Sequence, residues 1–187
     1  MNKLLKNRYA LSTVVTTLII LVVSVLLATV VVMYAINVTS TRVQEESLFL
    51  SKQHVWHNTT SGWAQAGLVI MNTGGKDIVL DKIAVRGQEC SWTNVYYWRT
   101  DSITVTEDLN VTPVEISGAA FDIVVQNQSR TFARADTDLT LKSGWTMVVY
   151  IMRPDSIGMN DVGLTVGITI FTSNAQYYKE ANVEAAQ

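Results

Sequence analysis

From Leu11 to Ile36, 26 positions run almost without a polar break, and no Asp, Glu, Lys, Arg or His occurs between Arg8 and Arg42. An apolar run of this length predicts a helix surrounded by lipid or by other helices, because there every backbone polar group must be satisfied within the segment. At a rise of about 1.5 Å per residue it is about 39 Å long, against about 30 Å for the hydrocarbon core of a bilayer. Val14, Val15, Thr16, Thr17, Ile19, Ile20, Val22, Val23 and Val30 to Val32 are β-branched, and the run contains no Gly or Pro. In water such a composition favours strands; without water the helix is the only way to close the hydrogen bonds. A cleaved secretory signal has an apolar region of only about 7 to 15 residues and a small-x-small cleavage site. Here the candidate pairs are Met33 with Ala35 and Leu26 with Ala28, so neither condition is met.

Asn37 to Thr41 (NVTST) is a run of poor helix formers, where a loosening or bend is expected. From Arg42 to Trp56 the apolar residues fall in pairs seven apart: Val43 with Leu50, Leu48 with Val55, Phe49 with Trp56. On a helix these pairs point to three sides, so the helix expected to continue to residue 57 is not one-faced: the pattern fits a helix gripped by its own domain on one face and by other subunits on the rest, or equally a short or frayed helix. Beyond Gly62 the pattern changes to period two. Ala66 to Met71 and Ile78 to Val85 flank the turn Asn72 to Asp77 and read as a hairpin, and Ser91 to Arg99 alternates with Trp92, Tyr96 and Trp98 on one face. Ile103–Thr106, Val114–Ile116, Phe121–Val125, Leu139–Leu141, Trp145–Met152, Leu164–Thr172 and Gln176–Val183 are further strand-like runs, separated by turns. The expected fold is α+β: a long hydrophobic helix (11–57, with 11–36 as the apolar core) after a basic leader (1–10), followed by an all-β, immunoglobulin-like sandwich head (58–187).

Charge orients the chain. Lys3, Lys6 and Arg8 precede the run, while all 16 acidic residues lie from Arg42 onward. The positive-inside rule therefore puts the N-terminus in the cytoplasm and the head outside. No basic patch for nucleic acid is apparent. The single cysteine, Cys90, excludes an intrachain disulfide and reads as a small buried apolar residue. Signals of catalysis are weak. His54 and His57 would share one helical face, but no third ligand lies in local register; Asp122, Asp136 and Asp138 lack the spacing and turn glycine of a calcium loop. No nucleophile elbow or phosphate loop is present, so no enzyme, cofactor or metal is expected. Four Asn-x-Ser/Thr acceptors occur at Asn37, Asn58, Asn110 and Asn127. Asn58, Asn110 and Asn127 lie in polar context in or beside the head and are the expected glycan carriers; Asn37, at the end of the apolar run, is expected to stay bare.

The basic leader Met1 to Ala10, followed by Ala10-Leu11-Ser12-Thr13-Val14-Val15-Thr16-Thr17-Leu18-Ile19-Ile20, resembles the class III signal of archaeal type IV pilins. The Asn72-Thr73-Gly74-Gly75 turn and the late strand Leu164 to Thr172 followed by Asn174-Ala175-Gln176-Tyr177 are similar to the heads of that family. The resemblance implies a cut by a prepilin peptidase between Ala10 and Leu11, retention of the helix, and assembly by pilus machinery into a helical homopolymer. Tyr9 stands where the family usually has a charged residue, and Val15 where bacterial pilins have glutamate. Val15, Leu18, Leu21, Val25, Ala28 and Val32 are the implied polymerisation positions. The implied role is a structural subunit of a surface filament, stored in the membrane before assembly, with the head as an adhesive sheath. An archaellin, or a membrane-anchored binding protein that does not polymerise, shares the same helix and head.

Overall fold

In a computed structural model, residues 8–43, 45–154 and 156–186 are described, and the chain divides into two compact units, Met1–Val43 and Gln44–Gln187. The leader residues 1–7 lie outside the described residues.

The first unit is a single helix, α1 (Arg8–Val43). It runs through Asn37–Thr41 without the expected break. Helix propensity is a weak preference, and a hydroxyl here supports the ladder: Thr41 Oγ1 donates to Asn37 O at 2.9 Å. The expected continuation to residue 57 is overturned, because α1 ends at Val43 and Leu48–Asn58 is a strand, β1. The spacing of seven has another origin. Between Ser51 and His54 the pairing of β1 slips by one residue, with Lys52 at φ +52°. A bulge adds one residue and flips the alternation. Leu48 and Leu50 face the same core as Val55, which an unbroken strand would send to the opposite side.

The second unit is built from β1, β2 (Ala64–Asn72), β3 (Ile78–Val85), β4 (Gln88–Glu89), β5 (Val95–Thr100), β6 (Ala120–Val125), β7 (Gln128–Arg134), β8 (Leu139–Leu141), β9 (Thr146–Met152), β10 (Thr165–Thr172) and β11 (Gln176–Ala186). Their pairing order is β4-β3-β10-β11-β1-β2-β9-β5-β7-β6, with β8 on β3, and β11 joins the two halves by running parallel to β1. The halves face each other across one core, in which Leu68, Ile70, Met147, Val149 and Ile151 meet Leu80, Ile83, Val85, Ile168 and Ile170. The other face of β2 and β9 carries a second core of Trp56, Trp63, Val69, Val148, Tyr150 and Phe132. Strand β9 is therefore buried on both faces, which explains its continuous apolar run.

Three expectations change. The segments read as a hairpin do not pair: β2 lies between β1 and β9, while β3 pairs with β10, β8 and β4, so Thr73–Asp77 carries the chain from one layer to the other. Trp92 sits in a short 3-10 turn and packs on the first core, whereas Tyr96 and Trp98 belong to the second. Residues 101–119 form no strand, although Val105, Leu109 and Ile116 are buried in the second core. Side chains replace the ladder there. The Gln65 amide donates to Thr112 Oγ1 at 3.0 Å and accepts from its backbone N–H at 3.0 Å, and Tyr150 donates its hydroxyl to Asn110 O at 2.9 Å.

Candidate functional site: an uncovered helix and a clasped neck

Helix α1 contains a span, Ser12–Thr41, long and apolar enough to cross a membrane, and none of it is buried within the structure. Val15, Leu18, Leu21, Val25 and Val32 are all at least half exposed. At 100° per residue these positions and Ala28 fall within one arc of about 140°. The rest of the circumference is as apolar, with Ile19, Val23, Leu27 and Val30 equally uncovered. Ala28 makes a shallow notch bordered by Val25, Thr29, Val32 and Met33.

Four hydroxyls of the span are satisfied by its own backbone. Thr16, Ser24 and Thr29 donate to the carbonyls of Ser12, Ile20 and Val25 at 2.7–2.9 Å, and Thr17 to Val14 at 2.9 Å. Each of these four hydroxyls is thus spent on the preceding turn, and what faces outward at those positions is methyl and methylene. The Ala10–Leu11 bond falls in the first turn of α1, and Asn37 is exposed on the helix.

The chain joins the head through Glu45–Ser47, and the two motifs singled out in the head sequence converge on this neck. From one side, Thr73 and Gly74 donate their backbone N–H groups to Ser47 O at 2.9 and 3.1 Å. Thr73 Oγ1 reaches Ser47 Oγ at 2.9 Å, and Gly75 N–H reaches Glu45 O at 3.3 Å. Asn72, fully buried, holds the turn in shape by donating to Lys76 O and Leu141 O and accepting from Gly74 N–H. Gly74 is required by space, since a Cβ there would lie 2.6 Å from Glu45 O and 2.7 Å from Ser47 N.

From the other side, the largely buried Glu46 carboxylate accepts from Thr172 Oγ1 and from Asn174 Nδ2 at 2.9 Å, with Lys76 Nζ at 3.9 Å. Burial, and then the charge of Glu46, push the Tyr177 hydroxyl above the ordinary tyrosine value. Asn72, Thr73, Gly74, Thr172, Asn174 and Tyr177 therefore converge on one short segment, Glu45–Ser47, which carries no motif that sequence reasoning could have found.

The remaining candidates separate. His54 and His57 sit on opposite faces of β1, not on one helical face: His54 contacts Asp108 and Glu184, and His57 is buried. Among the described residues no group of three or more His, Cys, Asp or Glu is arranged to hold a metal ion. Asp122 accepts from Thr131 and Asp136 pairs with Arg134, so these carboxylates serve different contacts. Cys90 is half-buried, packing against the first core. Of the head sequons, Asn110 and Asn127 are exposed, with Asn127 at φ +57° in the tight β6–β7 turn. Asn58 does not project to solvent as expected. It is buried, and its Oδ1 accepts from Thr60 N–H at 3.0 Å and Ser61 N–H at 2.7 Å, closing the β1–β2 turn.

No family model and no curated protein matches this chain. Among solved structures, a copper-bound PCuAC domain from PmoF2 is 15% identical, with 76% of this chain and 99% of that chain covered and a TM-score of 0.33. A novel b-glucosidase from Erythrobacter marinus is 13% identical, with 74% of this chain but 15% of that chain covered and a TM-score of 0.27. Similarity at this level carries no argument about activity.

Proposed function

We propose that the chain is a structural subunit of an extracellular type IV pilus-like filament, polymerising through α1. The observation that carries this reading is a charge-free span of α1, Ser12–Thr41, apolar on every side and exposed along its length, followed by a head with cores of its own. Burying ten of its large side chains at about 1.5 to 3 kcal/mol each would favour association by tens of kcal/mol before entropy costs. Before assembly the same surface suits lipid, with the N-terminus in the cytoplasm and the head outside. Head-to-tail contacts that do not close generate a helical polymer. In this reading a prepilin peptidase removes residues 1–10, the head is an immunoglobulin-like sandwich forming the outer sheath for adhesion, and the protein is not an enzyme. Asn110 and Asn127 are the proposed glycan carriers; burial removes Asn58 from that set.

The test is to shear surface filaments from cells expressing the chain, image them, and sequence the N-terminus by mass spectrometry. Filaments made of this chain and starting at Leu11 are expected. A chain found only in the membrane fraction, intact from Met1, would instead make it an anchored monomer. Glycopeptides from the same sample should show sugar on Asn110 or Asn127, with Asn58 bare.

A further inference from the structure

We propose that His54 is a proton-operated clasp that holds segment 101–119 closed over the second core of the head. His54 Nε2 lies 2.9 Å from Asp108 Oδ1, and Nδ1 lies 3.1 Å from Glu184 Oε1. An ionised carboxylate only accepts hydrogen bonds, and a neutral imidazole has a single N–H. Both contacts therefore exist together only when the ring carries both protons and a positive charge. Burial pushes the Asp108 carboxyl up, but the hydrogen bond and charge of His54, together with the Leu109 N–H and the charge of Lys52, outweigh this and hold it below the ordinary value.

The clasp bridges three parts of the head: His54 is on β1, Glu184 on β11 and Asp108 in the segment without strands. The imidazole also stacks on Trp56, with centroids 5.2 Å apart and planes 7° apart, and Trp56 is part of the core that the segment covers through Val105, Leu109 and Ile116. Gly67, the partner of His54 on β2, is uncharged, and Lys52 on β1 adds positive charge near Asp108. The closed segment thus binds one proton more than a segment released from a neutral ring.

The sign follows by linkage. Closure is favoured while the imidazole carries both protons, weakens when it loses one, and weakens again in acid once Asp108 protonates below the ordinary carboxylate range. Both carboxylates are at least half exposed, so solvent screens the contacts and the effect is modest.

The test uses the full chain in detergent micelles. Amide exchange of residues 101–119, corrected for intrinsic rates, is measured at pH about 5.5 and about 8.5, on either side of the ordinary histidine value of about 6.5. In the native chain, exchange is expected to be about 3 to 10 times faster at the higher pH; in His54→Gln and Asp108→Asn that ratio should fall towards one. Asp108→Asn leaves β1 untouched, so it keeps the test valid if His54→Gln folds poorly. Nitrogen-15 spectra of the native histidines at pH about 5.5 should show His54 protonated on both nitrogens. A ring with one proton at that pH, or a pH ratio unchanged in Asp108→Asn, would overturn the proposal. An unchanged ratio would assign the pH dependence elsewhere, His57 being retained in both variants.

Discussion

Helix α1 from Ser12 to Thr41 and strand β9 are both uncharged, strongly apolar stretches, yet β9 is buried on both faces and the helix on none. The difference lies in who supplies the partners. Strand β9 finds them within its own chain, on β2 and β5 at its edges and in two cores at its faces. The span Ser12–Thr41 closes its backbone bonds within one helix and leaves its side chains exposed. Similar apolar content thus accompanies a folded interior in one case and an exposed surface in the other.

The sharpest way to break this comparison is to place the same charge in both regions. Val149→Asp, at a fully buried position of β9, should cost more than about 4 kcal/mol and remove most of the stability of the head, read as loss of its cooperative unfolding transition. Val25→Asp should shift that transition by less than about 0.5 kcal/mol while abolishing filaments, because its penalty appears only when the helix is surrounded by other helices. Normal filaments from Val25→Asp would mean that the helix does not form the filament core.

Next in size is the neck, where the comparison can be sharpened without touching either apolar stretch. Glu46→Ala strips Thr172 and Asn174 of their shared acceptor and should cost about 2 kcal/mol in denaturant unfolding of the head. Gly74→Ala should cost at least as much, because its Cβ meets the backbone of Glu45 and Ser47, which cannot swing aside as a flexible side chain does. Equal unfolding midpoints for Gly74→Ala and the native chain would show that the neck is not held as described.

How much of this was legible depends on whether the structural cause was local. The uncharged run could be read directly, and strands β3, β8, β9, β10 and β11 followed from short apolar runs between turns. Strand β1 was hidden by one extra residue at Lys52, which put Leu48 and Val55 seven apart on the same face and imitated a helical repeat. Strand β7 was hidden for the opposite reason. It has one fully buried side chain, Phe132, among polar neighbours, and so shows almost no alternation. At the neck, the turn Asn72–Gly75 was visible as a turn, but its purpose was not, since Ser47, the partner of Thr73, lies 26 residues earlier in a stretch with no pattern. Burial of Asn58 was equally unreadable, because an asparagine that closes a turn with its side chain and one that offers it to solvent have the same sequence context.

Smaller effects test these local causes. Asn58→Ala removes two hydrogen bonds from the β1–β2 turn and should destabilise the head by about 1 kcal/mol, measured by urea unfolding. Lys52→Gly relieves a left-handed backbone at the bulge and should be neutral or stabilise by up to about 1 kcal/mol, with the strand register intact by amide exchange. A loss above about 1 kcal/mol for Lys52→Gly would show that the lysine side chain, not the backbone conformation, is what the bulge requires.

The hydroxyls of α1 carry one more consequence. Thr16, Thr17, Ser24 and Thr29 each return their proton to the turn beneath them, so none points outward as a directional handle for a neighbour. With those four hydroxyls turned inward, the fit between neighbouring helices of this kind would be set by side-chain shape, ridges against grooves, and not by hydrogen bonds from these positions. In an assembly of such rods, the notch at Ala28 would act as a keyway, fixing the roll of a neighbour by volume alone.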